Sequence, residues 1–407
     1  MPLPKYTFLR CFGMKKIIAL LVAIALIAVL LFCPIFTPLQ ESNEFFAPES
    51  GAQAVDFENI SSIASARCAI VIDCESKNVL LQKNCDERRG MASTTKIMTA
   101  LIAIESLPLD TEFEIPKEAC GIEGSSVYLK EGEMLTLRHL LYCLMLESGN
   151  DAAVAIAYCI GGDVLGFVEM MNARAAELSL ENTHFSNPHG LSDENHYTTA
   201  RELAIITAEA FKHDVFREIV STRTFKVPYD GIENGRHLVN HNKMLFSYSD
   251  IVGVKTGYTQ KDGKCLVSAS FKNETTLIAV TLQDNHPVST HRNLLNQAND
   301  GYEKRLLAES GALTAELKVQ GEEQFVQIQN LEKHSLVLPK NAKIEITLHL
   351  AECVALPLKK GTPLGFARVT ADGKEVYIIR LESTESIDII KKSLIEMLFG
   401  NEKKWKA

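Results

Sequence analysis

The sequence predicts an α+β protein: an antiparallel sheet with an inserted helical lobe, followed by a small all-β domain. Three observations carry that expectation. Strand-like runs occupy both ends of residues 61–310. A largely helical stretch, from Ser93 to about Val220, separates them. From about Gly311 the pattern changes to short alternating segments, the period of half-buried strands. A chain of 407 residues is long enough for two such domains.

In chain order, residues 1–34 read as a targeting segment. Lys15 and Lys16 precede an uncharged apolar run from Ile17 to Cys33. At 1.5 Å per residue it spans about 26 Å, slightly short of a bilayer core of about 30 Å. A basic flank before such a run reads as a secretory signal peptide or an uncleaved anchor, and a start at Met14 would give the more usual form. Residues 35–60 are polar and turn-rich and read as a linker. The first domain, residues 61–310, opens with strands at Cys68–Asp73 and Asn78–Gln82, joined at Glu75-Ser76-Lys77. The run from Ser93 to Ser106 reads as a buried helix that closes before Pro108. Thr136 can cap a helix carrying Leu137, Leu140, Leu141, Leu144 and Met145, which runs to about Glu147. A second apolar helix follows from Asp151 to Gly161-Gly162. Ile251–Thr259, Cys265–Phe271 and Thr275–Leu282 return the chain to strands, and Arg292–Ser310 is a helix candidate that should pack on them.

Residues 311–383 read as the β-domain, with strands at Ala315–Val319, Ile344–Leu350, Leu364–Thr370 and Glu375–Leu381 and a hairpin signal at Asp372-Gly373. In the tail, residues 384–407, Ile387, Ile390, Leu394, Ile395, Leu398 and Phe399 can share an apolar face among lysines and Trp405. Such a basic amphipathic helix suits a membrane interface, or docks on the β-domain.

Composition removes some functions. A net charge of −9 argues against nonspecific nucleic-acid binding, and no nucleic-acid partner is expected. Of ten cysteines, Cys11 and Cys33 fall in the targeting segment, and the other eight show no C-x-x-C spacing. Several of these lie in apolar runs, so buried free thiols are expected and metal ligation is not. His184, His189 and His196 read as loop histidines rather than zinc ligands.

Three short motifs carry the chemistry. Ser93-Thr94-Thr95-Lys96 puts a hydroxyl and an amine three residues apart, on one face of a helix. A serine is a poor nucleophile without a base in reach, and a lysine is a base only when neutral. Desolvation and a nearby cation lower a lysine pKa, and Lys255 is the candidate cation. Ser148-Gly149-Asn150 falls in a tight break between two buried helices. There Ser148 can relay a proton, and Asn150 can hold the lysine and bind a substrate amide. Lys255-Thr256-Gly257 lies in a strand-like run. Lys255 and Thr256 can hold a carboxylate, and Gly257 lets a substrate backbone approach the strand. The N–H of Tyr258 with that of Ser93 can form an oxyanion hole, each donor being worth roughly 10²–10³ in rate. Taken singly, the motifs read equally as an N-cap serine, a helix–turn–helix connector and an edge strand.

Together and in this order, the motifs resemble those of the D-alanyl-D-alanine carboxypeptidases, the low-molecular-mass penicillin-binding proteins of the serine peptidase kind. The resemblance covers roughly residues 60–385. Asn187-Pro188-His189-Gly190-Leu191, the run from His196 to Leu203, and the run from Asn240 to Leu245 also match. Arg292 resembles a family arginine that helps bind the terminal carboxylate. The resemblance implies a β-lactamase/transpeptidase-like catalytic domain with its site between lobe and sheet, and a family β-domain behind it. It also implies removal of the terminal D-Ala from peptidoglycan pentapeptide stems through an acyl-Ser93, penicillin binding and no cofactor. Such a monomer would act at the extracytoplasmic face of the cell membrane, or secreted. A serine β-lactamase is the first alternative. Ser-Gly-Asn in place of Ser-Asp-Asn, the β-domain, and no convincing equivalent of the class A deacylating glutamate argue against it. The second is a penicillin-sensing or wall-binding protein without turnover.

Overall fold

The computed structural model describes residues 48–52, 56–59, 65–228 and 235–388. The targeting segment, most of the linker and nearly all of the amphipathic tail lie outside these residues. Among the described residues, no single helix is long and apolar enough to cross a membrane.

The first sheet contains β1 (Cys68–Asp73), β2 (Val79–Lys83), β3 (Ile251–Thr259), β4 (Gly263–Lys272) and β5 (Thr275–Leu282). Their order is β2-β1-β5-β4-β3, all antiparallel, with Asp56–Asn59 added in parallel beyond β2. Strands from both ends of the domain thus share one sheet, and the chain between β2 and β3 forms the lobe. All six residues of β1 are buried because both faces are covered. Cys68, Ile70 and Ile72 face the lobe core, whereas Ala69 and Val71 pack under α7 (Pro287–Gly301). That alternation is the period-2 geometry of a strand.

The lobe helices are α1 (Lys96–Ser106), α2 (Leu137–Met145), α3 (Asn150–Gly161), α4 (Val164–Glu177), α5 (Ala200–Ala210) and α6 (Asp214–Ser221). The first eight residues of α1 are buried, and α1 packs on every other lobe helix. Its hydrophobic run therefore fixes Lys96 at the centre of the domain. Thr136 caps α2, accepting from His139 N–H at 3.2 Å. Helix α5 lies against β5 and β1 and closes the lobe onto the sheet.

The helix predicted over Arg292–Ser310 lies elsewhere. It starts at Pro287, whose missing N–H costs nothing at the first helical position, and ends at Gly301. From Tyr302 the chain becomes strand β6 (Tyr302–Ala308), paired with β9 (His334–Pro339). The Tyr302 hydroxyl donates to Leu80 O at 2.8 Å, tying this junction to the first sheet. The other C-terminal strands are β7 (Thr314–Lys318), β8 (Phe325–Gln329), β10 (Ile344–Leu350), β11 (Pro363–Ala371) and β12 (Lys374–Ser383), in order β7-β8-β12-β11-β10. Asp372 and Gly373 both take positive φ, 50° and 80°, as a tight hairpin turn between β11 and β12 requires.

Candidate active site

A cleft of about 710 Å³ opens where the lobe meets the edge strand β3, lined by Ser93, Ser148, Thr256, Gly257 and Tyr258. Ser93 does not begin the α-helix as expected. Ala92–Thr95 is a 3₁₀ turn, and α1 starts at Lys96. The turn is tied internally: Thr94 Oγ1 donates to Met91 O at 2.6 Å, and Thr95 Oγ1 to Ala92 O at 2.7 Å. His196 braces it from behind. Its Nδ1 accepts from Ser186 N–H at 3.0 Å, which leaves Nε2 to donate to Thr95 Oγ1 at 2.7 Å. Burial pushes the His196 pKa down to about 4, so the imidazole is a neutral strut.

Lys96 is fully buried. Its Nζ lies 3.1 Å from Ser93 Oγ, 2.7 Å from Asn150 Oδ1 and 2.6 Å from His189 O. Burial, and then the charge of Lys255, hold this amine well below the usual lysine range, with Asp151 opposing. A neutral amine has two N–H bonds and one lone pair. The two carbonyl oxygens take the N–H bonds, so the lone pair is left for the Ser93 O–H. That is the arrangement of a general base.

Asn150 is fixed at its other end, where Nδ2 donates to Glu123 O at 2.6 Å. Gly124 makes room for that bond: a Cβ there would stand 2.7 Å from Asn150 Nδ2. Ser148 holds a positive φ of 61°. It is only 4 % exposed, and its Oγ has no hydrogen-bond partner among the described residues. Lys255 is buried on β3, and burial pushes its pKa down to about 7, with the Glu147 carboxylate opposing.

Sequence reasoning assigned no role to Asp151. This buried carboxylate accepts from Ser126 Oγ at 2.6 Å and from the N–H groups of Val127 and Leu129 at 3.0 and 3.1 Å. It fastens the loop whose Ser125 O receives Asn150 N–H at 2.7 Å. The only signal was an acid directly after Ser-Gly-Asn, in the first turn of a helix.

Gly257, expected to admit a substrate backbone, lines the cleft and also receives the nucleophile's own turn. A Cβ at Gly257 would stand 3.0 Å from Ser93 N and 3.1 Å from both Ala92 Cβ and Thr94 N. The close fit seats the Ser93 turn against β3, one residue from Tyr258. The Tyr258 side chain is 64 % exposed, and the residue lines the cleft with Ser93.

Arg292 does not line the cleft. Its Nη1 contacts both carboxylate oxygens of Asp250 at 2.8 Å, and its guanidinium lies 4.6 Å from the Tyr248 ring centroid. Asp250 precedes β3, at the end away from Thr256, a strand length of about 20 Å. The charge is already matched there by Asp250, away from the cleft in which the carboxylate role was expected. The cleft carries Lys243 and Lys264 instead.

Among the described residues, no cluster of His, Cys, Asp or Glu has the geometry of a metal site. All eight described cysteines are free thiols; Cys68, Cys85, Cys143 and Cys265 are buried, Cys74, Cys120 and Cys159 partly buried, and Cys353 exposed. A second cleft, about 640 Å³ near Phe211, Arg217 and Phe271, holds none of the motif residues.

Residues 55–286 match the D-alanyl-D-alanine carboxypeptidase peptidase family. The D-alanyl-D-alanine carboxypeptidase DacF of Bacillus subtilis is 31% identical over 342 residues, which is 81% of this chain and 87% of that protein. Penicillin binding protein 5 from Haemophilus influenzae superposes with a TM-score of 0.71 at 26% identity, over 81% of this chain and 99% of its own. The Streptomyces K15 DD-transpeptidase superposes with a TM-score of 0.55 at 32% identity, over 58% of this chain and 98% of its own.

Proposed function

This chain belongs to the D-alanyl-D-alanine carboxypeptidase family and is a serine-type enzyme of that kind, and from that premise we propose how its residues do the work. Lys255 and Thr256 hold the terminal D-Ala carboxylate of a peptidoglycan pentapeptide stem. Neutral Lys96 takes the Ser93 proton as Oγ attacks the penultimate D-Ala carbonyl. The N–H groups of Ser93 and Tyr258 receive the oxyanion. Ser148 passes a proton to the departing D-Ala nitrogen, and the C–N bond breaks. Water then attacks the acyl-Ser93 ester and regenerates the hydroxyl. β-Lactam antibiotics follow the first half of this course and stay on Ser93.

The observation that carries the reading is the triad of contacts at Lys96 Nζ, which leaves a lone pair for Ser93 and nothing else. A fluorescent penicillin and, separately, a peptide ending in D-Ala-D-Ala test it. Slow loss of the label together with D-Ala release is expected. Rapid penicillin turnover without D-Ala release would mean a β-lactamase, and a lasting adduct without peptide turnover a sensor. Ser93→Ala should abolish labelling; stoichiometric labelling of that variant would sink the nucleophile assignment.

For location, the proposal is a monomer at the extracytoplasmic face of the cell membrane, exported by the segment of residues 1–34 and held by the tail. The support is the basic-then-apolar pattern of the first and the basic amphipathic pattern of the second. Removing both should free the enzyme from vesicles of anionic lipid. Equal binding of the forms with and without the tail would remove the tail from the argument.

A further inference from the structure

We propose that Asn242 is a substrate-binding residue whose side-chain Nδ2 donates to the terminal carboxylate, beside Thr256. The proposal rests on the carboxylate end assigned above and adds a residue to it.

Asn242 lines the cleft yet is only 1 % exposed. Its Oδ1 accepts from Met244 N–H at 3.1 Å, and its own N–H donates to Asn240 Oδ1 at 2.9 Å. Because the Met244 N–H must meet an oxygen, the amide can be oriented only one way. Its NH₂ is therefore the end left over, and Nδ2 has no partner among the described residues.

The segment that carries Asn242 is rigid. Asn240 Nδ2 donates to Thr222 O at 3.0 Å, Val239 N–H to Glu147 Oε1 at 2.6 Å, and His241 N–H to Leu146 O at 3.2 Å. These bonds lay residues 239–241 alongside 146 and 147, and Asn242 lines the same cleft as Ser148. Ser148 and Asn242, whose Oγ and Nδ2 are buried without partners among the described residues, thus line one cleft together with Thr256 and Lys243. An amide NH₂ can serve only an acceptor oxygen. A buried donor that waits for its partner discriminates strongly against ligands that cannot supply one. At this end of the substrate, the group with charge and acceptors to spare is the terminal carboxylate.

The test compares two peptides in the full chain, one ending in D-Ala-D-Ala and one in D-Ala-D-alaninamide. Asn242→Ala should lower kcat/KM for the acid by about 10–100-fold, the usual range for a lost hydrogen bond to a charged group, with little change for the amide. Asn242→Asp keeps an oxygen for Met244 N–H and removes the donor, so it should lose at least as much on the acid while remaining folded. Equal losses on both peptides, or none, would overturn the proposal. Thr256→Val is run beside them. If it spares the acid preference, the Lys-Thr-Gly assignment fails, and Asn242 still stands or falls on its own ratio. No acid preference in the unchanged chain would refute both.

Discussion

Gly257→Ala is the most informative single change, because the structure sets its size. The added methyl would meet Ser93 N at 3.0 Å and Ala92 Cβ and Thr94 N at 3.1 Å, where ordinary contact begins at about 3.4 Å. Two of these atoms are backbone, and the third is a Cβ fixed to backbone, so no flexible side chain can turn away. The strand and the turn must part by a few tenths of an ångström. Strand β3 is held by its pairing with β4, where Gly257 faces Cys265. The turn is held by the Thr94 and Thr95 hydroxyls. The shift therefore falls on the junction itself. The Lys96–Ser93 contact is already 3.1 Å, at the long side for such a bond. A misplacement of about 1 Å can cost about 10²-fold in rate, so a few tenths should cost roughly 4–10-fold. The assay is the second-order rate constant for acylation by a fluorescent penicillin, with Tm measured beside it. Overpacking of this kind typically costs about 1–3 kcal/mol. Acylation within twofold of the parent, with Tm lowered, would refute the reasoning: the strain would have gone elsewhere.

Three other outcomes follow from the same geometry. Arg292→Gln should leave kcat/KM within about twofold while lowering Tm, since it breaks a half-buried pair with Asp250 rather than a ligand contact; a tenfold loss of kcat/KM at unchanged Tm would restore the carboxylate role. The Asp151 carboxylate favours protonated Lys96, so Asp151→Asn should move the acid limb of the acylation pH profile to lower pH; a lower rate with an unmoved limb would reduce Asp151 to a loop fastener. The folded-state pKa of Lys255 is depressed to about 7, whereas an unfolded lysine titrates near 10.4, so between these values only the unfolded chain keeps that proton. This group's share of stability rises with pH across that window, by up to about 1.4 kcal/mol per unit, and the burial cost is fully present below about pH 7. Lys255→Met should thus raise Tm most at pH 7 and progressively less towards pH 10; a gain independent of pH would contradict the shift.

What the sequence revealed and what it hid divide on physical lines. Ser93 and Lys96 were legible as a pair because three residues is one turn. The turn proves to be 3₁₀, where side chains at that spacing eclipse even more closely. The Asp372-Gly373 hairpin was legible because only a few residues tolerate two successive positive φ angles. The Asn150–Lys96 bond was legible from the motif although it joins residues 54 apart, and the packing of α1 against α3 creates it. Gly257 was read only as serving the substrate, because its other neighbour, the Ser93 turn, comes from a distant part of the sequence. Arg292 was placed by its position after the last strand of the sheet, and nothing local revealed that Asp250 would claim it. The segment Tyr302–Ala308 was joined to the preceding helix because its partner strand, His334–Pro339, lies about thirty residues on.

The two buried lysines have distinct roles because their surroundings differ. Both amines suffer desolvation, so burial alone cannot say which is the base. Around Lys96 the near groups are two carbonyl oxygens and a hydroxyl, and the repulsion from Lys255 outweighs the opposing Asp151 carboxylate. Around Lys255 the opposing influence is the Glu147 carboxylate, which supports a cation. Glu147 is itself held by Val239 N–H and by His241 Nε2 at 3.0 Å, on the segment that also carries Asn242. The loop that presents a donor to the carboxylate thereby also fixes the counter-charge that keeps Lys255 available to the same carboxylate. While Lys255 keeps its proton, that charge in turn helps to keep Lys96 neutral. A lobe slightly ajar from β3 would weaken all three effects together. Pairs of titratable groups driven apart by environment mark acid–base roles. Here the separation depends on the lobe–sheet contact, which makes the closed junction, rather than any one motif, the unit that carries the activity.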